Sequence, residues 1–122
     1  MDSYRDFIGT SRAEIGIAKH AYVAARSGWF SDRSAHYLAS GKPVLAQSTG
    51  YECCLPTGSG LLTFSDLDGG VAGIEAINGR YTAHCQAARE LAGEHLDHRK
   101  VIPRMLELAT AGTRRRALAG GV

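Results

Sequence analysis

The sequence has no long hydrophobic run and little net charge, and these two absences exclude several classes of protein. Among its 122 residues, no apolar stretch approaches the roughly 20 residues needed to span a bilayer. The formal net charge is only +2 at pH 7, which is too small to indicate a nucleic-acid-binding surface. The first residues, MDSYRDFIGTSR, contain no apolar core of a signal peptide. We therefore expect a cytoplasmic protein with no membrane span and no nucleic-acid partner.

Cysteine is scarce as well, which argues against a disulfide framework or a zinc site. Cys53, Cys54 and Cys85 make an odd count, and their spacing matches no zinc or redox motif. A redox-active pair at 53–54 is one alternative, but reduced thiols packed as small apolar side chains are the simpler interpretation. The stretch EHLDH at 94–98 offers two histidines near two carboxylates, yet it also fits a helix end followed by a cap. The sequence predicts no metal site and no cofactor.

The rest of the chain alternates between helical and strand patterns. Apolar residues at helical spacing and capping residues predict helices at 3–11, 31–38, 66–78, 80–94 and 98–110. Short apolar runs bounded by breakers predict strands at 13–19, 43–47 and 60–64. Ser31, Asp66 and Asp97 are the predicted N-caps, and Gly41 is the predicted left-handed residue that ends the second helix. Residues 20–30 are less regular and are predicted to form a loop.

This order of elements indicates the fold class. Strands that alternate with helices favour a parallel sheet with right-handed crossovers. We expect an α/β fold, a small three-layer Rossmann-like half-domain with about three parallel strands flanked by helices. The domain is expected to span residues 1–110 with a helical C-terminal part, and residues 111–122 are expected to form a flexible tail.

The stretch YLASGKPVLAQSTGYECCLPTGSGLLTF resembles a known family. It resembles the C-terminal, donor-binding half of GT-B glycosyltransferases of the retaining, family 4-like type. That half has a helix, then a small-Gly-x-Pro-Val turn, then a strand, and then a glycine-containing loop that ends in Gly-Leu-Leu. In this chain, residues 39–44 match the turn, residues 49–50 follow the strand, and residues 58–62 match the end of the glycine-containing loop. The resemblance covers residues 4–110 and implies a nucleotide sugar as ligand and glycosyl transfer as the reaction of the complete enzyme.

The chain departs from this family in two respects. Retaining members carry two glutamates before the small-Gly-x-Pro-Val turn, and the matching positions here are Gly28 and His36. Their contacts with the sugar and the ribose therefore do not carry over, and Asp32 is the nearest carboxylate. The family places its active site between two Rossmann-like domains, whereas this chain matches about half of one. We expect the isolated chain to be inactive, and the sequence names no catalytic residue.

The predicted binding residues follow the first strand. Ligands of parallel α/β sheets lie beyond the carboxyl ends of the strands. Ser31, Asp32, Arg33 and Ser34 begin a helix there, and free backbone N–H groups and a guanidinium suit the diphosphate of a nucleotide sugar. The alternative, a simple cap with a solvated arginine, is equally compatible with the sequence.

Further candidates follow from the same edge of the predicted sheet. His36 is either a ligand contact or a structural histidine, and Gln47 ends the second strand. Thr49 and Gly50 form either a close approach to ligand or an ordinary turn. Glu52 is either a partner for a ribose hydroxyl or a surface carboxylate.

Two other functions stay open beside the donor-binding portion of a glycosyltransferase. One is a nucleotide-binding regulatory module, and the other is a structural or interaction remnant with a vestigial pocket. The strand Ala13–Lys19 is apolar and has no upstream strand to pair with, so its edge is a candidate surface for a homo-oligomer or a partner chain.

Overall fold

A three-stranded parallel sheet forms the centre of the computed structural model, which describes the backbone of residues 3–119 and the side chains of residues 3–112. The strands are β1 (Glu14–Gly16), β2 (Val44–Gln47) and β3 (Leu61–Phe64), in the spatial order β1-β2-β3. Their register pairs Ile15 with Leu45 and Leu45 with Leu62. The predicted parallel α/β fold is confirmed.

Residues 3–119 contain six helices, four of which pack on the two faces of the sheet. Their bounds are α1 (Tyr4–Thr10), α2 (His20–Ala24), α3 (Asp32–Ala39), α4 (Leu67–Gly79), α5 (Tyr81–His95) and α6 (His98–Ala119), with a short 3-10 helix at Tyr51–Cys53. On one face of the sheet, α1, α3 and α5 bury a cluster that includes Leu38, Val44, Leu61 and Ala88. On the opposite face, α4 buries a smaller cluster of Leu45, Leu62 and Ile77. The three-layer arrangement is thus also confirmed.

The predicted caps are present. The Oγ of Ser31 accepts a hydrogen bond from the Arg33 N–H at 3.2 Å and begins α3. The Oδ1 of Asp66 accepts from the Gly69 N–H at 2.7 Å. Gly41 has φ +69° immediately after α3, in the left-handed region that glycine favours.

Three elements differ from the prediction. The first strand is shorter, since β1 spans only Glu14–Gly16 of the predicted 13–19. The predicted loop 20–30 contains α2, whose Tyr22 stacks on Trp29 with ring centroids 5.1 Å apart. A helix of 5 residues depends on such a tertiary contact, which hydrophobic periodicity does not reveal. Helix α6 continues beyond residue 110 to Ala119, because the alanine, arginine and leucine residues there favour helix more than Gly112 opposes it. The flexibility of 111–122 stays a prediction, and 120–122 lie outside the described residues.

No helix among residues 3–119 combines the length and the apolar character that a membrane crossing requires.

Gly60 joins the start of β3 to α5 by a very close backbone approach. Its N–H donates to Nδ1 of the buried His84 at 3.1 Å. Its φ is +76°, and a Cβ atom placed on it would lie 2.3 Å from the Ala88 nitrogen. Because that neighbour is helix backbone, it cannot move aside as a side-chain tip would.

We expect Gly60→Ala to destabilise the fold by more than about 3 kcal/mol, since overpacking adds to the strain of a left-handed residue. Gly28→Ala is the matched control, because Gly28 has the same φ of +76° but nothing within 4 Å of the added Cβ. Urea unfolding of both variants measures the difference. Equal losses of stability would show that the contact with α5 imposes no packing constraint.

Candidate functional site

The segments that precede α3 and follow β2 meet at the carboxyl edge of the sheet. The Thr49 hydroxyl donates to the Trp29 carbonyl at 2.6 Å, and the Gly28 N–H donates to the Thr49 carbonyl at 2.8 Å. The N-terminus of α3 therefore opens onto the same edge as residues 47–52. This part of the sequence-based prediction is confirmed.

A small cavity lies where these segments meet. Of the predicted residues, it is lined by Ser31, Arg33, Ser34 and Gln47. The other lining residues are Gly16, Ile17, Ala18, Trp29, Phe30, Ala46 and Tyr51. Its volume is about 10 Å³, which is room for roughly one water molecule. Only a single ligand group, such as one oxygen of a phosphate or a hydroxyl, fits inside it.

Arg33 is held over the cavity by a carboxylate from β1. Its Nε donates to Glu14 Oε1 at 2.6 Å, and the Glu14 side chain is only 5% exposed. This hydrogen bond, and then the attraction between the two charges, raises the pKa of Arg33 above its usual value. The guanidinium is half exposed, so it stays charged and reaches solvent at the opening.

Two buried polar atoms beside this ion pair have no hydrogen-bond partner among the described residues. They are Glu14 Oε2 and the Oγ of Ser34, and Ser34 is 1% exposed. Gly16 lies between the two side chains, since a Cβ on it would be 3.7 Å from both Glu14 Oε1 and Ser34 Oγ. Burying an unpaired polar atom costs roughly 1–3 kcal/mol. Glu14 Oε2 accepts hydrogen bonds, so a donor such as a water molecule would stabilise it, whereas the Ser34 hydroxyl can also donate to a ligand oxygen.

Ser31 and Gln47 contribute to the cavity wall but already have partners. Ser31 caps α3, and Gln47 Oε1 accepts from the Ala18 N–H at 3.1 Å. The Gln47 contact fixes the chain that leaves β1, so this side chain shapes the opening.

Thr49 and Gly50 do not line the cavity. Thr49 is fully buried, and its hydroxyl is used in the bond to Trp29. Gly50 has φ +99°, and a Cβ on it would lie 3.2 Å from the Arg26 carbonyl oxygen. The close approach at this glycine is made by the protein's own backbone, as the turn interpretation expected.

Glu52 stabilises the loop after β2 and lies outside the cavity. Its Oε1 accepts from the Ser48 hydroxyl, its Oε2 accepts from the Gly50 N–H at 3.2 Å, and Arg26 Nη2 lies 3.7 Å away. Burial acts to raise the pKa of Glu52, but the hydrogen bonds and the charge of Arg26 outweigh it. The pKa is therefore lower than that of an ordinary glutamate.

Asp32 and His36 lie on the outer side of α3. Asp32 is exposed in the first turn. His36 is exposed as well, and its Nδ1 is 3.3 Å from the Tyr4 hydroxyl. The structure thus places His36 against α1, away from the cavity.

Sequence reasoning missed Glu14 and Tyr51. Glu14 is the lone carboxylate within an otherwise apolar strand, a signal that could have indicated its pairing with a cation. Tyr51 is buried, donates to the Ala46 carbonyl at 3.1 Å and packs against Phe30 with ring centroids 5.1 Å apart. It lines the cavity, which no pattern in the sequence indicated.

Within the part of the chain whose side chains are described, no group of three or more histidine, cysteine, aspartate or glutamate residues could hold a metal ion. Comparison of the chain with protein-family models, curated proteins and solved structures found no match.

The environment of Glu52 predicts a contribution to stability that depends on pH. Because the fold lowers its pKa, this contribution is complete above the unfolded value of about 4.5 and is lost as the pH falls through the lower folded value. We expect Glu52→Gln to be less stable than the native chain at neutral pH and to lose less stability on acidification. Urea unfolding between pH 7 and roughly pH 3 measures this difference. Glu75→Gln, at an exposed glutamate on α4, is the control. If the free energy of unfolding changed with pH in the same way for the native chain and for Glu52→Gln, the stabilising role of the Glu52 carboxylate would be contradicted.

Proposed function

We propose that the chain is the donor-binding portion of a GT-B-type glycosyltransferase and holds the diphosphate of a nucleotide sugar at the N-terminus of α3. The observation that carries the proposal is the juxtaposition of Arg33, the helix N-terminus and the unpartnered Ser34 Oγ at the carboxyl edge of a parallel sheet. Helix N-termini and guanidinium groups both favour phosphate oxygens.

The size of the cavity defines how such a ligand would bind. One phosphate oxygen would enter and reach Ser34, while the nucleoside and the sugar would lie across the opening beside Trp29, which is 40% exposed. Because Glu14 already neutralises part of the Arg33 charge, the backbone N–H groups of α3 would supply much of the attraction. We expect such a one-sided site to bind with a Kd of about 1 mM, which corresponds to a binding free energy of roughly −4 kcal/mol.

Titration with nucleotide sugars tests this proposal. We expect UDP, GDP or ADP sugars to shift the backbone amide NMR signals of residues 31–34, and Arg33→Gln to reduce the affinity by about tenfold, the cost of one charge-assisted hydrogen bond. Arg5→Gln removes an exposed arginine on α1 and is the matched control. If no donor moves these signals, the chain is no donor-binding module.

The sheet edge favours a second candidate function, that of a structural or interaction module. β1 lies at the edge of the sheet. Its Ile15 is 52% exposed, and Ile17, directly after the strand, is 75% exposed. An exposed apolar edge strand is a template for pairing with another strand. The small cavity and the engagement of Arg33 by Glu14 agree with a vestigial pocket.

We expect the chain to self-associate through β1, and Ile15→Lys to shift it toward monomer because the added charge opposes edge pairing. Val71→Lys is the matched control, since Val71 on α4 is also β-branched and is similarly exposed at 47%. Sedimentation velocity over a range of concentrations measures the effect. A native chain that stays monomeric at high concentration would rule out association through this edge.

A further inference from the structure

Positive charge is concentrated in α6. Its 22 residues contain six lysines and arginines and one glutamate, a formal net charge of +5. The remainder of the chain has eight lysines and arginines against eleven aspartates and glutamates, a net charge of −3. Asp97, which precedes the helix and pairs with Arg99 at 2.6 Å, offsets one of the positive charges. The chain is thus divided into an acidic domain and a basic helix.

The same helix has an apolar face. At 100° per residue, the side chains between 101 and 109 divide into two arcs. The apolar arc contains Val101, Ile102, Met105, Leu106, Leu108 and Ala109. The opposite arc contains Lys100, Pro103 and Glu107. Arg99 and Arg104 lie at the two borders of the apolar arc.

Among the α6 side chains that the structure describes, only one near the start of the helix is shielded from solvent by the domain. Val101 is half-buried, whereas every residue from 102 to 112 is exposed. Ile102, Met105, Leu106 and Leu108 are each between 52% and 62% exposed. These four large side chains of the apolar face are therefore open to solvent, and an exposed apolar cluster of this kind on a protein surface indicates an interaction site.

We propose that α6 lies in the interface of an anionic lipid bilayer, with its apolar face toward the acyl chains and its basic residues at the headgroups. Charge complementarity favours this occupant. A protein groove could cover the apolar face without any excess of cations. On an anionic leaflet, by contrast, each lysine or arginine near the surface contributes about 1 kcal/mol to the binding free energy. Arginines at both borders of an apolar face match the arrangement of helices that lie in the plane of the membrane. The acidic domain would be repelled from the lipid, so the helix would be the contact. This inference is independent of donor binding.

Co-sedimentation of the full chain with vesicles tests the proposal. We expect binding to phosphatidylcholine vesicles that contain roughly one third phosphatidylglycerol, little binding to pure phosphatidylcholine, and release as the salt concentration rises. Leu106→Glu should reduce the partition coefficient by about tenfold or more, because a leucine is lost from the buried face. Thr110→Glu introduces the same charge on the polar side of the helix and should reduce it much less.

Arg104→Gln distinguishes electrostatic from purely apolar binding. It should weaken binding to the anionic vesicles and leave the weak binding to phosphatidylcholine unchanged. Equal effects of Leu106→Glu and Thr110→Glu, or no binding to either vesicle, would overturn the proposal. The proposal would also be overturned if the native chain were a dimer that does not bind vesicles and if Leu106→Glu made it monomeric. The apolar face would then be occupied by a second copy of the chain. Circular dichroism verifies that each variant keeps its helix.

Discussion

The burial of β2 is the constraint on which the rest of the structure depends. It is the central strand, paired on both sides, and its side chains enter both core clusters. Val44 and Leu45 point to opposite faces and are at most 1% exposed, and each such burial contributes roughly 1.5–3 kcal/mol. Because helices must cover both faces of this strand, α3 and α5 lie on one side and α4 on the other. The candidate site follows from this packing, because covering β2 with α3 places the N-terminus of the helix beside the end of the strand.

The pair of Glu14 and Arg33 connects this layering to the candidate site. It joins the edge strand to the first turn of α3, so the polar edge of the cavity is fixed by the same contact that positions the helix. A buried carboxylate is stable only when its charge is compensated. The guanidinium at the cavity therefore has a structural role in the free chain, and any ligand anion would share it with Glu14. Structure and binding are coupled at one side chain.

Much of the fold was predictable because its signals are local. Ser31, Gly41 and Asp66 act within one helical turn, and the apolar run at 43–47 has the composition of a strand buried on both faces. The members of the cavity were less predictable, because burial and pairing are long-range. Arg33 and Ser34 were found from their position at a helix start, but Glu14 meets Arg33 only after β1 and α3 pack. Thr49, Gly50 and Glu52 were expected near the ligand, yet their hydrogen bonds and close contacts are made within the loop itself.

The buried bond between Gly60 and His84 has a consequence for the state of the imidazole. Nδ1 accepts the backbone N–H, so this nitrogen carries no hydrogen and the ring is the neutral tautomer with its proton on Nε2. A doubly protonated ring would place two N–H groups against each other where β3 begins. The entry of the third strand into the sheet is thus tied to a single tautomer, and nitrogen chemical shifts of this one ring would report directly whether β3 is docked on α5.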